Sequence, residues 1–389
     1  MCGGNLDILL DYPALRRSLT PADILRSAEP SLWRYLPLLP VAAPGARETA
    51  LWAAGRTPTY HLPAPGLPHL WVKDESGNPT GSFKDRASAV VVARAREIGA
   101  AVVVTASSGN AGAALAGMAA AAGQAAIILV PKTAPPAKVA QLLVFGARVL
   151  LVDGTYDQAF DLSIEGTRAF GWYSRNTGFN PFTAEGKKTA GFEIWEWWEG
   201  VRQQRPALED RTLSVFVSVG DGNIIAAIHK GFKDLAELGW LDGMPRLFGV
   251  QAEGSAAVAR AFAAGTEEIV AGPASTVADS ISVGLPRDGV RAVRAATQTG
   301  GAYLTVSDDE ILQAIPALGK FGVFAEPAGA AAFAGLIKAA RTGLVGADDP
   351  VVVLNTGNGL KDVQAALRVA GAAPIIQPSL RALQQVLGL

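Results

Sequence analysis

The chain alternates short apolar runs with longer stretches in which apolar and polar residues follow helical spacing. Each apolar run is long enough for a strand, and each is followed by polar or glycine-containing turn residues. The runs are 69–72, 102–105, 127–130, 148–152, 213–219, 246–250 and 351–354. Strands that alternate with helices predict an α/β fold with parallel sheets covered on both faces.

The stretches between these runs predict the helices. Residues 111–122 are rich in alanine, and a second helix is expected after Pro135. Residues 172–188 are expected to form a loop that leads into a tryptophan-rich amphipathic helix. Further helices are expected near 21–26 and from Ile224 and Asp362. In parallel sheets, ligands bind beyond the carboxyl ends of the strands, which is where the polar turns fall.

Composition narrows the class of protein. Charged residues make up 18% and apolar residues 49%, which is typical of a compact globular chain. The 34 basic residues nearly balance the 35 acidic ones, so a nucleic-acid partner is not expected. The apolar residues 98–131 are interrupted by Ser107, Ser108 and Gly109, so no membrane span is expected. Asp7 and Asp11 in the first apolar run argue against a signal peptide.

Metal and disulfide chemistry are also not expected. Cys2 is the only cysteine, which excludes an internal disulfide and a thiolate zinc cluster and fits a reducing compartment such as the cytoplasm. The three histidines, His61, His69 and His229, have no metal-ligand spacing.

One stretch, residues 73–86, suggests a reactive lysine. Ser82 stands three residues before Asp85, which is the spacing of a helix capping box. Lys84 would then lie in the first turn of a helix, where the helix dipole lowers the pKa of an amine. A partly neutral lysine is a nucleophile for carbonyl carbons. Taken alone, the stretch fits a solvated lysine at a helix start better than a nucleophile.

Two further turns predict anion sites. Residues 220–223 read Gly-Asp-Gly-Asn after a buried strand, so their amides can form a nest for a phosphate, or simply a tight turn that needs glycine. Residues 107–110 read Ser-Ser-Gly-Asn and suit a carboxylate at a helix start, or an ordinary N-cap. A nucleophilic lysine with a phosphate nest and a carboxylate nest indicates pyridoxal phosphate and a small amino-acid substrate.

The chain also resembles the fold-type II pyridoxal-phosphate enzymes, and within them the threonine synthase branch. The resemblance covers most of the chain and depends on motifs that occur in the family's order. They are 73–75 with 78–86, 107–110, 180–181 with 185–189, 220–223, 326–329 and 356–362.

The resemblance implies roles for particular residues. Lys84 would be the Schiff-base lysine and proton carrier, with Phe83 packed near the cofactor ring. Thr356 would face the pyridine nitrogen, where a hydroxyl moderates the electron sink. Asn110 would contact both cofactor and substrate. The phosphate would be held by Gly220, Asp221, Gly222, Asn223 and Ile224, and the substrate by Ser107, Ser108, Asn110, Thr183 and Lys188.

The resemblance further implies a tryptophan synthase β-like architecture with two parallel or mostly parallel three-layer α/β domains. Residues 1–84 would form an N-terminal arm and the start of the large cofactor domain. Residues 85–178 would form a smaller inserted domain, and residues 179–389 the remainder of the large one. A homodimer is the family expectation.

Two departures from the family pattern leave the substrate open. Thr183 stands where an arginine that grips the substrate phosphate is expected, and Leu285 replaces an expected amide. The leading hypothesis is a lyase of threonine synthase type that converts O-phosphohomoserine and water to threonine and phosphate. The alternative is a β-eliminating or β-replacing enzyme, such as a serine/threonine dehydratase, a diaminopropionate ammonia-lyase or a synthase of a β-substituted amino acid. A third reading is a non-catalytic ligand-binding protein.

Overall fold

The computed structural model describes residues 5–45, 47–64, 66–134 and 136–389. Cys2 therefore lies outside the described residues. Within them the chain forms ten strands in two sheets. The strands are β1 Thr59–His61, β2 Leu70–Asp74, β3 Val102–Ala106, β4 Ala125–Pro131, β5 Arg148–Val152, β6 Tyr173–Ser174, β7 Ser214–Ser218, β8 Arg246–Ala252, β9 Ala302–Val306 and β10 Val351–Asn355.

Fourteen α-helices connect and cover these strands in the described residues. They are α1 Tyr12–Ser18, α2 Pro21–Leu25, α3 Lys84–Glu97, α4 Asn110–Ala121, α5 Pro136–Val144, α6 Tyr156–Phe170, α7 Phe182–Gln204, α8 Asn223–Leu238, α9 Ala257–Ala263, α10 Gly289–Thr297, α11 Asp308–Gly319, α12 Pro327–Arg341, α13 Val363–Ala370 and α14 Leu380–Leu387.

The sheets are parallel, as the alternation of strands and helices predicts. The larger sheet has the order β1-β2-β10-β7-β8-β9 and the smaller one β5-β4-β3-β6. Among the ten strands of the described residues, only β1 pairs antiparallel, with β2 at one edge of the larger sheet. The predicted fold class is confirmed.

Helices cover both faces of each sheet because successive strand residues point to opposite sides. In β2, Leu70 and Val72 join the core formed with α11 and α12. Trp71, between them, joins the core formed with α7 and α8. In β3, Val103 packs with α3 and α4, whereas Val104 packs with α6. Both sheets are therefore the middle layer of three.

The loop expected at 172–188 is partly wrong. Residues 173–174 pair with β3, and helix α7 begins at Phe182. The side-chain oxygen of Asn180 accepts a hydrogen bond from the Phe182 N–H at 2.9 Å and so satisfies a donor at the helix start. None of the described helices is long and apolar enough to cross a membrane.

Candidate active site

Lys84 is the first residue of α3 and lies where the two sheets face each other. The Phe83 N–H donates to the Thr356 carbonyl oxygen at 3.0 Å, which ties this helix start to the end of β10. The predicted capping box is wrong, because the Ser82 hydroxyl has no hydrogen-bond partner. Asp85 instead accepts hydrogen bonds from the N–H and the hydroxyl of Thr80, at 2.6 and 2.5 Å.

The environment of Lys84 favours its neutral form. Burial lowers the pKa of Lys84 to about 8, and the positive charge of Arg175 acts in the same direction. Glu326 and Asp221 oppose this shift by favouring the ammonium. About a tenth of the amine is therefore unprotonated at pH 7, far more than for a lysine with the ordinary pKa of 10.5, and the neutral amine is the nucleophile for an aldehyde. The cause is mainly burial, rather than the helix position that suggested the lysine.

A cleft of about 460 Å³ opens beside Lys84. Residues at the carboxyl ends of two parallel strands line this cleft. Thr356 follows β10, whereas Ser218 ends β7 and is followed by the turn that leads into α8. Its lining residues include Lys84, Thr177, Lys187, Ser218, Gly220, Asp221, Gly222, Asn223, Ile224, Ser280 and Thr356. The predicted phosphate turn and two of the other predicted cofactor residues thus share one cleft.

The turn before α8 has the shape of an anion cradle. Gly222 has φ +88°, a conformation that favours glycine. A Cβ on Gly220 would lie 2.9 Å from the Ile281 Cα, so there is no room for a side chain. The hydroxyl of Ser218 is buried and has no hydrogen-bond partner among the described residues. The N–H groups at the start of α8 and this free hydroxyl are donors for an anion.

A second cleft, of about 650 Å³, adjoins the first, since Ser280 and Ala328 line both. Ser108 and Asn110, at the start of α4, line it. The Asn110 side-chain nitrogen donates to the Glu326 carboxylate at 2.6 Å and to the Ser280 hydroxyl at 3.3 Å. Burial raises the pKa of Glu326.

Four of the predicted site residues do not line either cleft among the described residues. Ser107 accepts a hydrogen bond from the Gly109 N–H at 3.2 Å and so shapes the turn. Phe83 is fully buried in the core with Trp71 and Phe192. Its expected place beside a cofactor ring stays a prediction.

Thr183 and Lys188 are the other two, and both are held by neighbours. The Thr183 hydroxyl donates to the Asn180 carbonyl oxygen at 2.8 Å, inside its own helix start. The Lys188 ammonium lies 2.6 Å from the Glu185 carboxylate and 2.8 Å from that of Asp234. Lys188 is fully buried there, so the structure does not present it to a substrate in either cleft.

Sequence reasoning gave no role to Glu326, Ser218 or Ser280, which line or bridge the clefts. The Glu-Pro pair at 326–327, at the start of a helix, was the available signal for Glu326. Ser218 and Ser280 carry no motif of their own, because their importance depends on which strand end or turn they occupy.

Comparison with known proteins identifies the family. A sequence model of the family described as "Pyridoxal-phosphate dependent enzyme" matches residues 52–357, well over half of the chain. The chain belongs to this family. It is similar to the threonine synthase of Methanocaldococcus jannaschii, with 36% identity over 99% of this chain and 94% of that protein. It is likewise 36% identical to the threonine synthase of Halalkalibacterium halodurans, over 90% of this chain and 96% of that protein.

Solved structures show the same fold. Threonine deaminase isoform 2 of Solanum lycopersicum superposes with a TM-score of 0.69 at 23% identity, covering 86% of this chain and 97% of that one. Diaminopropionate ammonia lyase of Escherichia coli superposes with a TM-score of 0.66 at 20% identity, covering 80% and 86%. The chain is therefore a fold-type II enzyme of the threonine synthase family, and the resemblance found in the motifs is confirmed.

The residues present fit the cofactor of this pyridoxal-phosphate dependent family. Lys84 supplies a buried amine with a lowered pKa for its aldehyde. The glycine cradle and the free Ser218 hydroxyl supply donors for its phosphate, and Thr356 supplies a neutral hydroxyl. In the described part of the chain, no cluster of three or more His, Cys, Asp or Glu residues is arranged to hold a metal ion.

Proposed function

We propose that this pyridoxal-phosphate dependent lyase converts O-phosphohomoserine and water to threonine and phosphate. The observation that carries the proposal is the 36% identity to threonine synthases over 99% of the chain, with a cleft that contains Lys84 and the glycine cradle. The comparison with relatives supports the substrate, and the geometry of the cleft supports the type of chemistry.

The residues of the cleft have separate roles in cofactor binding and proton transfer. Pyridoxal phosphate, when bound, supplies an electron sink that stabilises negative charge on the substrate carbons. Residues 220–224 and Ser218 hold the cofactor phosphate. Lys84 would take a proton from the α-carbon and then one from the β-carbon, and phosphate would leave from the γ-carbon. Protons would then return to the γ-carbon, which becomes the methyl group, and to the α-carbon, while water adds its hydroxyl at the β-carbon. Thr356 would offer a neutral hydroxyl to the pyridine nitrogen.

The substrate carboxylate is assigned to the start of α4. Ser108 and Asn110 line the second cleft, and the positive end of the helix dipole favours an anion there. Asn110 keeps its orientation because Glu326 accepts its hydrogen bond. Ser107 contributes by shaping the turn rather than by touching the substrate.

The two sheets enclose this chemistry. We assign residues 85–178 to a smaller domain that closes on the larger one formed by 1–84 and 179–389. The four-stranded sheet, β3 to β6, lies wholly within residues 85–178, which supports this division, and side-chain contacts between the two parts support closure. Lys138 of α5 pairs with Asp279, and the Lys361 ammonium donates to the Gln141 side chain at 3.1 Å. Closure around the substrate excludes water from all steps except the intended addition.

The test is a substrate panel with the purified holoenzyme, read by phosphate release and by keto-acid formation. We expect phosphate and threonine from O-phosphohomoserine, and a loss of at least about a thousandfold in kcat for Lys84→Ala. Rapid turnover of serine or threonine without action on O-phosphohomoserine would overturn the proposal.

A β-eliminating or β-replacing activity is the second candidate. It is favoured by Thr183, because its hydroxyl is bonded to Asn180 and cannot give the bidentate grip of an arginine on a phosphate. This candidate predicts keto acid and ammonia, or a β-substituted amino acid, from a substrate without a γ-phosphate. The same panel separates the two candidates.

We also propose a homodimer in the cytoplasm. Exposed apolar side chains near the C-terminus, among them Leu367, Ile375 and Leu380, support a subunit contact. The single cysteine supports a reducing compartment. Sedimentation of the holoenzyme tests the dimer, and fractionation of cells that produce the protein tests the location.

A further inference from the structure

Arg175 and Lys187 are buried cations without an ionic partner. Each side chain is 1% exposed. Within the described residues, no carboxylate oxygen lies within 4.0 Å of either. Charged side chains are rarely buried unless they are paired, because removing a charge from water is costly. The other fully buried cations differ in this respect, since Arg86 lies 2.7 Å from Glu75 and Lys188 lies 2.8 Å from Asp234.

The few contacts of Arg175 leave a donor free. Its Nε donates to the Ser88 hydroxyl at 3.1 Å and its Nη1 to the Thr177 hydroxyl at 3.3 Å. Its Nη2 is buried and has no hydrogen-bond partner in the described structure. Thr177 lines the cleft beside Lys84. The Arg175 guanidinium, which is bonded to Thr177, therefore lies next to a lining residue of that cleft.

Lys187 lines the same cleft. Its ammonium donates to the Asn223 side-chain oxygen at 2.5 Å, and Asn223 in turn donates to Asp288 at 2.6 Å. Burial, followed by the charges of Arg175 and Lys84, holds the pKa of Lys187 well below its usual range. An anion between these cations would reverse that effect and restore the charge on Lys187.

Arg175 and the cofactor cradle belong to different sheets. Arg175 follows β6 of the four-stranded sheet, whereas the cradle at 220–224 follows β7 of the six-stranded sheet. The cradle already has backbone N–H groups and the Ser218 hydroxyl for one phosphate. Lys187 contacts this cradle through Asn223, whereas Arg175 approaches from the other sheet. Their remaining donors are available to a second anion beside the cofactor phosphate.

We propose that Arg175 and Lys187 together form the subsite for the γ-phosphate of the substrate, in place of the grip that Thr183 cannot supply. A guanidinium and an ammonium offer several charge-assisted donors to a dianion, which is the arrangement proteins use for phosphate. The inference rests on the proposed function, because it assigns the phosphate of that substrate. It makes these two residues the determinants of specificity for a phosphorylated amino acid.

The test compares two ligands that differ in one group. Norvaline and 2-amino-5-phosphonopentanoate share a carbon chain, and only the second carries a phosphonate. Binding of each to the holoenzyme is followed by the change in the cofactor's visible absorbance. The wild type is expected to prefer the phosphonate. Lys187→Gln, which keeps a donor for Asn223, is expected to reduce that preference about 10-fold to 100-fold.

Arg175→Gln is expected to act in the same way. If it does not fold, Arg175→Lys keeps the charge but loses the free donor, and should reduce the preference by a smaller factor. Norvaline binding should stay unchanged in all of these variants. The control Lys320→Gln removes an exposed charge at the end of α11 and should leave both affinities unchanged.

The outcomes separate the possible sources of the phosphate. A variant that loses affinity for pyridoxal phosphate while keeping the phosphonate preference would assign these cations to the cofactor and overturn the inference. A wild type that converts O-phosphohomoserine, with variants that keep the full preference, would also overturn it. A wild type that neither prefers the phosphonate nor releases phosphate would instead overturn the proposed function, and the inference with it.

Discussion

Asn110 donates a 2.6 Å hydrogen bond from its side-chain nitrogen to the carboxylate of Glu326. Asn110 is the first residue of α4, which packs against the four-stranded sheet. Glu326 directly precedes α12, which packs against the six-stranded sheet. The bond therefore joins the two sheets beside Lys84. The Glu326 charge also acts on Lys84, whose pKa it raises against the effect of burial. Glu326 therefore both orients the side-chain amide of Asn110 and raises the pKa of Lys84.

The pKa of Lys84 makes a prediction about pH. Because its pKa is about 8 and the neutral amine is the nucleophile, attachment of pyridoxal phosphate to the apoprotein should accelerate with rising pH. The rate should rise about tenfold per unit well below pH 8 and level off above it. Glu326, Asp221 and Arg175 are the charged groups that influence this lysine. Stopped-flow absorbance measures the rate, and a profile still rising steeply above pH 10 would contradict the lowered pKa.

Removing the Glu326 charge should move that profile. Glu326→Gln takes away a group that favours the ammonium, so the pKa of Lys84 should fall by about one unit and the plateau should begin at lower pH. The same stopped-flow experiment measures this shift. The control Glu253→Gln changes an exposed glutamate and should leave the profile in place. A shift to higher pH would show that Glu326 does not act through its charge.

The strands were predictable from sequence because buried parallel strands are continuous apolar runs. Strand β5 has the predicted bounds, 148–152. Strand β9 was missed because its residues, Ala-Tyr-Leu-Thr-Val, alternate between buried and partly exposed positions at a sheet edge. Helices α9 and α12 were missed because their alanine-rich sequences carry little periodicity. Helices α10 and α11 were missed although both are amphipathic and Ser307 and Glu310 form a capping box at the start of α11.

The site was predictable only where one segment contains its own signal. Lys84 and the glycine turn at 220–223 have local patterns, and the structure brings both to one cleft. The contact between Asn110 and Glu326 joins residues 216 positions apart, so no spacing rule reveals it. The free donors of Arg175 and Lys187 could not be predicted from the sequence. Only the structure shows that both side chains are buried with no carboxylate within 4.0 Å in the described residues.

The glycine cradle predicts different effects for two glycines at opposite ends of α8. Gly222→Ala places a Cβ 2.9 Å from the Asp288 carbonyl oxygen, in a left-handed conformation at φ +88°. We expect a loss of stability of about 2 kcal/mol and at least a tenfold loss of affinity for pyridoxal phosphate. Gly239 also has positive φ, but nothing lies within 4 Å of its Cβ position. Gly239→Ala should cost about 1 kcal/mol and leave cofactor affinity unchanged.

Urea unfolding and titration with the cofactor measure these two quantities. The comparison isolates the contact at the cradle, because both substitutions force an alanine into the same backbone region. Equal cofactor affinities in the two variants would place the phosphate elsewhere.

The buried ion cluster formed by Glu193, Arg86 and Lys73 predicts a large effect on stability. Glu193 lies 2.6 Å from Arg86 and 2.7 Å from Lys73, and these partners hold its pKa at about 2. Glu193→Gln leaves two buried cations without this carboxylate and should cost about 3 to 5 kcal/mol in the free energy of unfolding. Glu199→Gln, at a partly exposed pair with Arg202, should change it by less than about 1 kcal/mol.

The pH dependence of this cluster follows from the same shift. The folded pKa of Glu193 is below its ordinary value of 4.5, so its stabilising contribution is complete above that value and is lost as the pH falls towards 2. The stability gap between wild type and Glu193→Gln should therefore shrink between about pH 4.5 and pH 2. If this stability difference stayed unchanged near pH 2, packing rather than charge would be the main contribution of Glu193 to stability.

Restoring the family's arginine at position 183 should not improve phosphate binding. Thr183 is fully buried and its hydroxyl is bonded to Asn180, so Thr183→Arg must insert a long cation into a packed position. We expect a loss of about 1 to 3 kcal/mol in stability and no gain in phosphonate affinity. Thr183→Ser, which keeps the hydroxyl, is the matched control and should stay close to wild type. A tighter phosphonate complex in Thr183→Arg would show that position 183 itself faces the substrate phosphate, and would move the phosphate away from Arg175.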